Sequence, residues 1–313
     1  MANVNFDQIL ATTLNNHLDK LEDNVFSARP LFYFLSEAGQ IRKEDGGAKI
    51  VLPLIYGMNQ AAGSFHDRDP LLTTPSDGIT AAEFPWKEFY ATVTISGREE
   101  AINNGEEQII NLLEAKIMQA EETIAELLDQ QLFGDGTGNN GKDWDGLKKL
   151  VAAHPNDTSI GGINPQTHSY WASNRKAVDG ALTIADMTNM FNTCTVGADS
   201  PKVILTTQDL YEKYESLLQP QARYTSMQVA DAGFQNLLFK AVPMTYDIYC
   251  DEGYMYFLNP KYIRLVGHSD VWFKPTPFIR PEDRNAKYSQ ILLMGNLTVS
   301  NRKRQGVMTG LTT

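Results

Sequence analysis

The chain has 313 residues and a formal net charge of −11, and 42% of its residues are hydrophobic. This length supports one large domain or two medium domains with real cores. The acidic balance disfavours tight sequence-independent binding of nucleic acid, which needs clustered Lys and Arg. No stretch is long enough to span a bilayer and no basic segment precedes an apolar run, so we expect a soluble protein with no membrane partner and no secretion signal.

The first 36 residues predict an amphipathic helical arm. Its apolar positions recur at helical spacing, at Ile9, Leu10, Leu14, Leu18 and Leu21. Such an arm is too small to form a core of its own. We therefore expect it to bury its apolar face elsewhere.

Residues 41–97 predict an extended projection. Two β-rich runs, 49–56 and 86–96, are separated by a segment rich in Gly, Pro, Asp and Thr. The second run starts at Trp86 and places Phe89 on one side of an alternating pattern. We expect the two runs to pair, with Pro53 on an edge, and a second copy to stabilise this ribbon. Residues 57–83 are expected to order only in an assembly, which makes Arg68 a cleavage point in the free subunit.

Residues 106–133 predict one long helix. They lack Gly and Pro, and apolar residues with Ile117 at their centre form a stripe, at Ile110, Leu113, Ile117, Ala120, Ile124 and Leu127. From 98 to 135 the chain carries ten acidic and two basic residues, which disfavours a coiled coil. We expect a rod packed on one side and facing solvent or a partner on the other; a plain solvated helix is the alternative. Gly134 is predicted to end it as a left-handed residue.

The glycine-rich loop that follows matches two nucleotide-binding patterns in the wrong context. Gly136, Gly138 and Gly141 fit GxGxxG, and Lys142 completes GxxxxGK. Both patterns require a strand before the loop and a helix after it, whereas here the helix comes first, and Asp143 stands where Ser or Thr would hold Mg²⁺. We interpret the loop as a structural turn that folds Trp144 back against the helix end.

The remaining chain predicts a mixed α/β module followed by returning strands. Residues 159–163 read as an isolated strand. Helices are expected at 184–194 and 208–218, with strands at 202–206, 244–250, 254–258 and 263–266. The last strands, within 290–311, are expected to break at Gly295, and Arg302, Lys303 and Arg304 read as a solvated basic run.

No constellation of residues predicts catalysis, a metal site or a cofactor. The run from Gly267 to Asp270 begins like a nucleophile elbow, but Val271 replaces its second glycine. The five histidines are scattered, and neither Cys194 nor Cys250 has the spacing of a zinc ligand or of a disulfide framework. We therefore expect a protein that is not an enzyme.

The order of elements resembles that of tailed-bacteriophage major capsid proteins of the Hong Kong ninety-seven type. The segments that carry this resemblance are LFGDGTGNNG after the long helix, DGLKKLV, SIGGINPQTHSYW, YMYFLNPKYIRL and GNLTV. The resemblance implies an α+β fold with an N-terminal arm (1–39), an extended β-hairpin E-loop (40–97) and a peripheral domain (98–165) that contains the spine helix (106–133). It also implies an axial α/β domain (166–270) and return strands of the peripheral domain (271–313).

The function that the resemblance implies is assembly. Copies would form hexamers and pentamers of an icosahedral shell in the virion, built in the host cytoplasm around double-stranded DNA bound without sequence specificity. The implied partners are a scaffolding protein and a portal, with a decoration protein as an optional third. An acidic inward surface would keep packaged DNA mobile. An encapsulin-type compartment, another structural virion protein and a soluble α/β enzyme are the alternatives.

Overall fold

The computed structural model describes residues 29–67, 69, 71, 73, 77–102, 106–152, 159–218 and 237–313. The predicted arm lies almost entirely outside the described residues, as does Arg68. The helices are α1 (Pro30–Glu37), α2 (Gly97–Ile102), α3 (Glu106–Phe133), α4 (Ile184–Cys194) and α5 (Gln208–Leu217). The strands are β1 (Ile41–Glu44), β2 (Ile50–Ile55), β3 (Ile79–Phe84), β4 (Lys87–Ser96), β5 (Asn174–Ala181), β6 (Val203–Thr206), β7 (Leu237–Phe239), β8 (Val242–Tyr246), β9 (Met255–Leu258), β10 (Ile263–His268), β11 (Lys274–Pro275), β12 (Ala286–Val299) and β13 (Gly306–Thr312).

A five-stranded sheet is built around β12, which is 14 residues long. β4 pairs antiparallel with residues 286–295 of β12, and β10 pairs antiparallel with residues 295–299. β1 and β11 complete this sheet. The expected break at Gly295 is wrong, because the strand continues through it. A Cβ at Gly295 would lie 2.5 Å from the Val266 carbonyl oxygen, so the glycine permits a close approach between strands.

The second sheet has six strands in the order β5-β13-β9-β6-β8-β7. Its central strand β6 is buried at every position, as expected of a strand covered on both faces. Along β6, Val203 and Leu205 join a large core that also contains α1, α3 and the five-stranded sheet. Ile204 points the other way, into a smaller core with α4 and α5. The two sheets therefore share one hydrophobic core, and the helices of the α/β module cover the outer face of the second sheet.

In the ribbon, β2 pairs with a different strand from the predicted one. β2 pairs antiparallel with β3, which lies within the segment expected to be weakly structured, and β4 pairs with β12 instead of β2. β3 (ITAAEF) combines small residues with two large apolar ones, so its alternation is weak in the sequence. Pro85 then separates β3 from β4, since a proline cannot donate to a sheet.

The apolar stripe of α3 shifts partway along the helix. Ile117, Ala120 and Ile124 are buried as predicted, but the next large buried side chain is that of Leu128, and Leu127 is 38% exposed. Steps of four after Ile124 follow the 3.6-residue period of a straight helix, whereas the predicted seven-residue repeat drifts away from the core. Asp129 is also fully buried, which contradicts a uniformly solvated acidic face.

Three further local predictions are wrong. Gly134 does not adopt a left-handed conformation at the helix end; Gly136 does, with φ of 72°. Residues 159–163 form a tight turn closed by a bridge between Ile160 and Ile163, with both intervening glycines left-handed. Arg302 is fully buried rather than solvated.

The division of the chain into five segments stays a prediction, and several strands pair across its ranges. β1 and β4, within the predicted E-loop range, belong to the five-stranded sheet together with β10 from the predicted axial range. β13, within the predicted return-strand range, belongs to the six-stranded sheet.

Candidate assembly surfaces

The ribbon formed by β2 and β3 is anchored through one face. Alternate side chains of both strands are buried in the large core: Ile50, Leu52, Leu54, Ala82 and Phe84. At the loop end of the ribbon Tyr56 stacks on Tyr170, with ring centroids 4.7 Å apart, and at its base the Glu83 N–H donates to the Gly161 carbonyl at 2.9 Å. The turn at 160–163 therefore fixes the ribbon to the body of the protein.

The opposite face of the ribbon exposes large apolar side chains. Val51, Ile55 and Ile79 are 51%, 84% and 75% exposed, and Met58 beyond the strands is 93% exposed. Single exposed apolar residues are normal, but a contiguous group of them on a surface marks an interaction site. This face has the composition of a protein interface.

A hydrogen bond at the loop end of the ribbon shows which backbone groups face outward. The Tyr56 N–H donates to Gly78, so the even-numbered residues of β2 bond β3 and the odd-numbered ones point away. Pro53 is one of these outward residues and has no N–H to offer. On β3 the outward residues are Ile79, Ala81 and Glu83, and the Glu83 N–H is already taken by Gly161. The outer edge of β2 is therefore blocked, whereas the outward backbone groups of Ile79 and Ala81 on β3 have no partner among the described residues.

The edge of β4 that faces away from β12 is a second unpaired strand edge, besides that of β3. Tyr288 exchanges both backbone hydrogen bonds with Ile279, so its pair with Thr94 is not hydrogen-bonded, and the even-numbered residues of β4 point away from β12. In agreement, the Thr94 carbonyl accepts a bond from the Lys116 Nζ at 2.6 Å. In the part of the chain that the structure describes, the outward backbone groups of Tyr90 and Thr92 have no partner. Such an edge is a template for an added strand.

A groove of about 440 Å³ runs beside this edge. Residues of β4 form one wall and α3 forms the other, with Gln119, Ala120 and Thr123 lining the helix side. At one end Lys116 donates to Glu99 at 2.9 Å, and this hydrogen bond, together with those from Ser96, lowers the pKa of Glu99 to about 2. The groove thus presents polar side chains and unpaired backbone groups to an extended segment.

A buried polar cluster fastens the ribbon's base to the end of α3. Lys87 at the start of β4 donates to the Gly136 carbonyl at 3.2 Å, to the Asp143 carbonyl, and to the Asp145 Oδ1 at 2.9 Å. Asn296 of β12 accepts from the Asp145 N–H at 2.9 Å and donates to the Pro85 carbonyl at 3.0 Å. The cluster satisfies its charge internally, so it is a structural hub rather than a reactive site.

The structure places the predicted residues around this hub or in the core. Gly136 contributes its carbonyl to the hub, and a Cβ there would lie 2.6 Å from the Asp145 Oδ1. Trp144 is 1% exposed, and its backbone N–H donates to the Gln131 side-chain oxygen at 3.1 Å. Trp86 donates its indole N–H to the Gly47 carbonyl at 2.9 Å. Phe89 is half-buried against the large core, and the N–H of Gly134 donates to the Gln131 carbonyl at 3.0 Å.

Sequence reasoning missed Lys87, Asp145 and Asn296. One signal was present for Lys87, because it shares the inward alternation of β4 with Phe89, and a charged residue in that position needs a buried partner. Nothing local points to Asn296, which lies 151 residues from Asp145.

The described residues add no sign of a metal or membrane site. No group of three or more His, Cys, Asp or Glu side chains among them is placed to hold a metal ion. No helix in the described ranges combines the length and apolar content needed to cross a bilayer.

Neither a protein-family model nor a curated protein matches the sequence. Solved structures match over most of the chain. The capsid asymmetric unit of cyanophage A-1(L) has a TM-score of 0.68 at 16% identity, covering 87% of this chain and 90% of that one. The capsid of a native GTA particle has a TM-score of 0.58 at 9% identity, with coverages of 89% and 90%.

An encapsulin also matches. The holo-SrpI encapsulin complex from Synechococcus elongatus PCC 7942 has a TM-score of 0.54 at 10% identity, covering 87% of this chain and 85% of that chain. Likeness at these identities establishes the fold and leaves the function to be argued from the surfaces. The chain has the α+β, Hong Kong ninety-seven-like fold of these shell-forming proteins.

Proposed function

We propose that this chain is the major capsid protein of a tailed phage and that its copies assemble into the icosahedral head shell around double-stranded DNA. The observation that carries the proposal is the ribbon, which exposes Val51, Ile55 and Ile79 on a chain with a capsid fold. A monomer gains nothing from such a surface, whereas a subunit that overlaps its neighbours buries it.

The unpaired strand edges support the same role. β3 offers outward backbone groups at Ile79 and Ala81, and β4 offers them at Tyr90 and Thr92 beside an open groove. Soluble monomers usually protect such edges, and the outer edge of β2 is protected by Pro53. We infer that the unprotected edges take part in contacts between copies.

The proposed partners follow from this role. Copies form hexamers and pentamers, a scaffolding protein directs closure in the host cytoplasm, and a portal occupies one vertex of the virion. A decoration protein on the shell and DNA held without sequence-specific contacts complete the proposal. The net charge of −11 is consistent with packaged DNA that stays mobile.

Electron microscopy of the purified protein tests the proposal. We expect negative-stain images to contain closed shells, either alone or after co-expression with a scaffolding protein encoded beside it. Only monomers or small oligomers under both conditions would contradict it.

An encapsulin-type shell is the second candidate, favoured by the likeness to the SrpI encapsulin. The contents of the particles separate the two. Nuclease-resistant double-stranded DNA in mature particles supports the phage shell, and a stoichiometric cargo protein in particles free of DNA supports the encapsulin.

A further inference from the structure

A pair of buried aspartates lies where three parts of the chain meet. Asp129 is in α3 and is 0% exposed, and neither of its carboxylate oxygens has a hydrogen-bond donor among the described residues. Asp247 follows β8 of the six-stranded sheet and is 5% exposed. Arg29, just before α1, places its Nε 3.6 Å from the Asp129 Oδ2. The pair therefore joins the long helix, the second sheet and the start of α1.

The charges do not balance if both aspartates are ionised. Burial, and then the charge of Asp247, raises the pKa of Asp129 to about 8, against the opposing effect of Arg29. Burial also raises the pKa of Asp247, although a hydrogen bond from the Tyr249 N–H at 3.0 Å opposes this. With one proton between them, the aspartates carry a single negative charge that Arg29 neutralises, and the protonated carboxyl becomes the missing donor.

The neighbouring ionisable groups have other partners. The Tyr249 hydroxyl donates to Glu126 at 2.6 Å, and its ring lies 5.9 Å from the Arg29 guanidinium. Asp251 pairs with Lys148 at 3.0 Å. Burial keeps the Cys250 thiol neutral by raising its pKa. Among the groups that the structure describes here, Arg29 is therefore the cation that faces the aspartate pair.

We propose that Asp129, Asp247 and Arg29 form a proton-dependent latch, which holds the six-stranded sheet against the long helix while one proton is shared and loosens when that proton is lost. The second charge repels the first in a buried site, and Arg29 offsets only one of them. The turn at residues 247–250 is the part that can move outward, since Ile248 in it is already 78% exposed.

The pH window follows from the direction of the shift. The pKa of Asp129 in the folded chain, about 8, lies above its ordinary value of 3.8, so between these values the folded state holds a proton that the unfolded state releases. The latch is complete below the ordinary value. It weakens as pH rises and is lost as pH passes through about 8.

Hydrogen exchange of the full chain at several pH values tests the latch. We expect protection of the amides at 247–250, corrected for intrinsic exchange, to fall by at least about tenfold between about pH 6 and about pH 9.5. Asp129→Asn keeps the shape of the side chain and supplies a permanent hydrogen-bond donor. In this variant the protection of the amides at 247–250 should stay constant over the same pH range. Asp247→Asn tests the same pair from the other side and covers a failure of the first variant to fold.

Asp186→Asn is the matched control. It removes one carboxylate from α4, which packs on the same sheet, but Lys176 and Thr183 hold the pKa of Asp186 below its ordinary value, so it does not titrate in this range. This variant should lose protection as the unmodified chain does. Constant protection in the unmodified chain, or an unchanged pH response in both Asn variants, would overturn the proposal. The latch does not depend on the proposed function.

Discussion

Arg302 connects parts of the chain that are far apart in sequence. Its guanidinium donates to the Leu150 carbonyl at 2.7 Å, the Trp171 carbonyl at 2.9 Å and the Ser173 hydroxyl at 3.3 Å. No carboxylate lies among these partners, and burial lowers the pKa of Arg302 to about 10. The run Arg302, Lys303 and Arg304 looks uniformly basic, so charge pattern alone could not indicate that its first member turns inward. Its burial depends on the fold, because Arg302 lies in the connection between β12 and β13, which belong to different sheets.

Replacing Arg302 should destabilise the fold. Arg302→Met would fill much of the space but leave two carbonyls and a hydroxyl without their donors, so we expect a loss of about 2 to 5 kcal/mol in the free energy of unfolding. Arg302→Lys retains the charge but not the planar fork and should also destabilise. Lys303→Met, at the exposed neighbouring residue, should change the free energy of unfolding by less than about 0.5 kcal/mol. Urea denaturation measures all three; equal stability of the Arg302→Met and Lys303→Met variants would contradict this account.

The elements with strong local signals were the ones that the sequence predicted. α4 was predicted at its observed ends, and α3 was predicted from its length and composition. β3 was missed because most of its residues are small and because the Gly161 carbonyl that binds its Glu83 N–H is distant in sequence. The polar hub was missed for a related reason, since Lys87, Asp145 and Asn296 come from three separate elements. Pairing and buried polar contacts depend on topology, which periodicity does not encode.

The turn after α3 provides a prediction at the scale of elements. A Cβ at Gly146 would lie 2.4 Å from the carbonyl oxygens of Gln131 and Gly134, so Gly146→Ala would force the loop away from the helix end. We expect a loss of about 2 to 4 kcal/mol in thermal or urea unfolding. Gly180→Ala is the control, because its nearest atom would be 3.8 Å away. A Gly146→Ala variant as stable as the control would show that the turn adapts freely.

The unpaired edge of β4 gives a second prediction at the scale of elements. Thr92→Pro removes an outward N–H without breaking a bond to β12, so the subunit should fold, yet shells should form poorly or not at all. Thr92→Ala is the matched control, because it changes only the side chain and keeps the outward N–H. We expect this control to assemble in negative stain. Normal shells from the Thr92→Pro variant would show that this edge is unused.

At the scale of the whole molecule, the ribbon separates folding from assembly. Its buried face belongs to the large core, whereas its exposed face carries Val51, Ile55 and Ile79 and contributes nothing to the isolated fold. Substitutions on the two faces should therefore have opposite consequences. Leu52→Ala should lower the free energy of unfolding by about 2 to 5 kcal/mol, because it opens a cavity.

Substituting the exposed face should leave the subunit intact and prevent closure of the shell. In Ile55→Thr/Ile79→Thr both side chains keep β-branching, so the strands and the unfolding midpoint should be preserved. Each subunit in a closed shell repeats its contacts with several neighbours, so a small loss per contact is multiplied, and the protein concentration at which shells appear should rise at least about tenfold. Light scattering across a dilution series measures this threshold. An unchanged threshold with the same unfolding midpoint would mean that the ribbon's apolar face lies outside the contacts between copies.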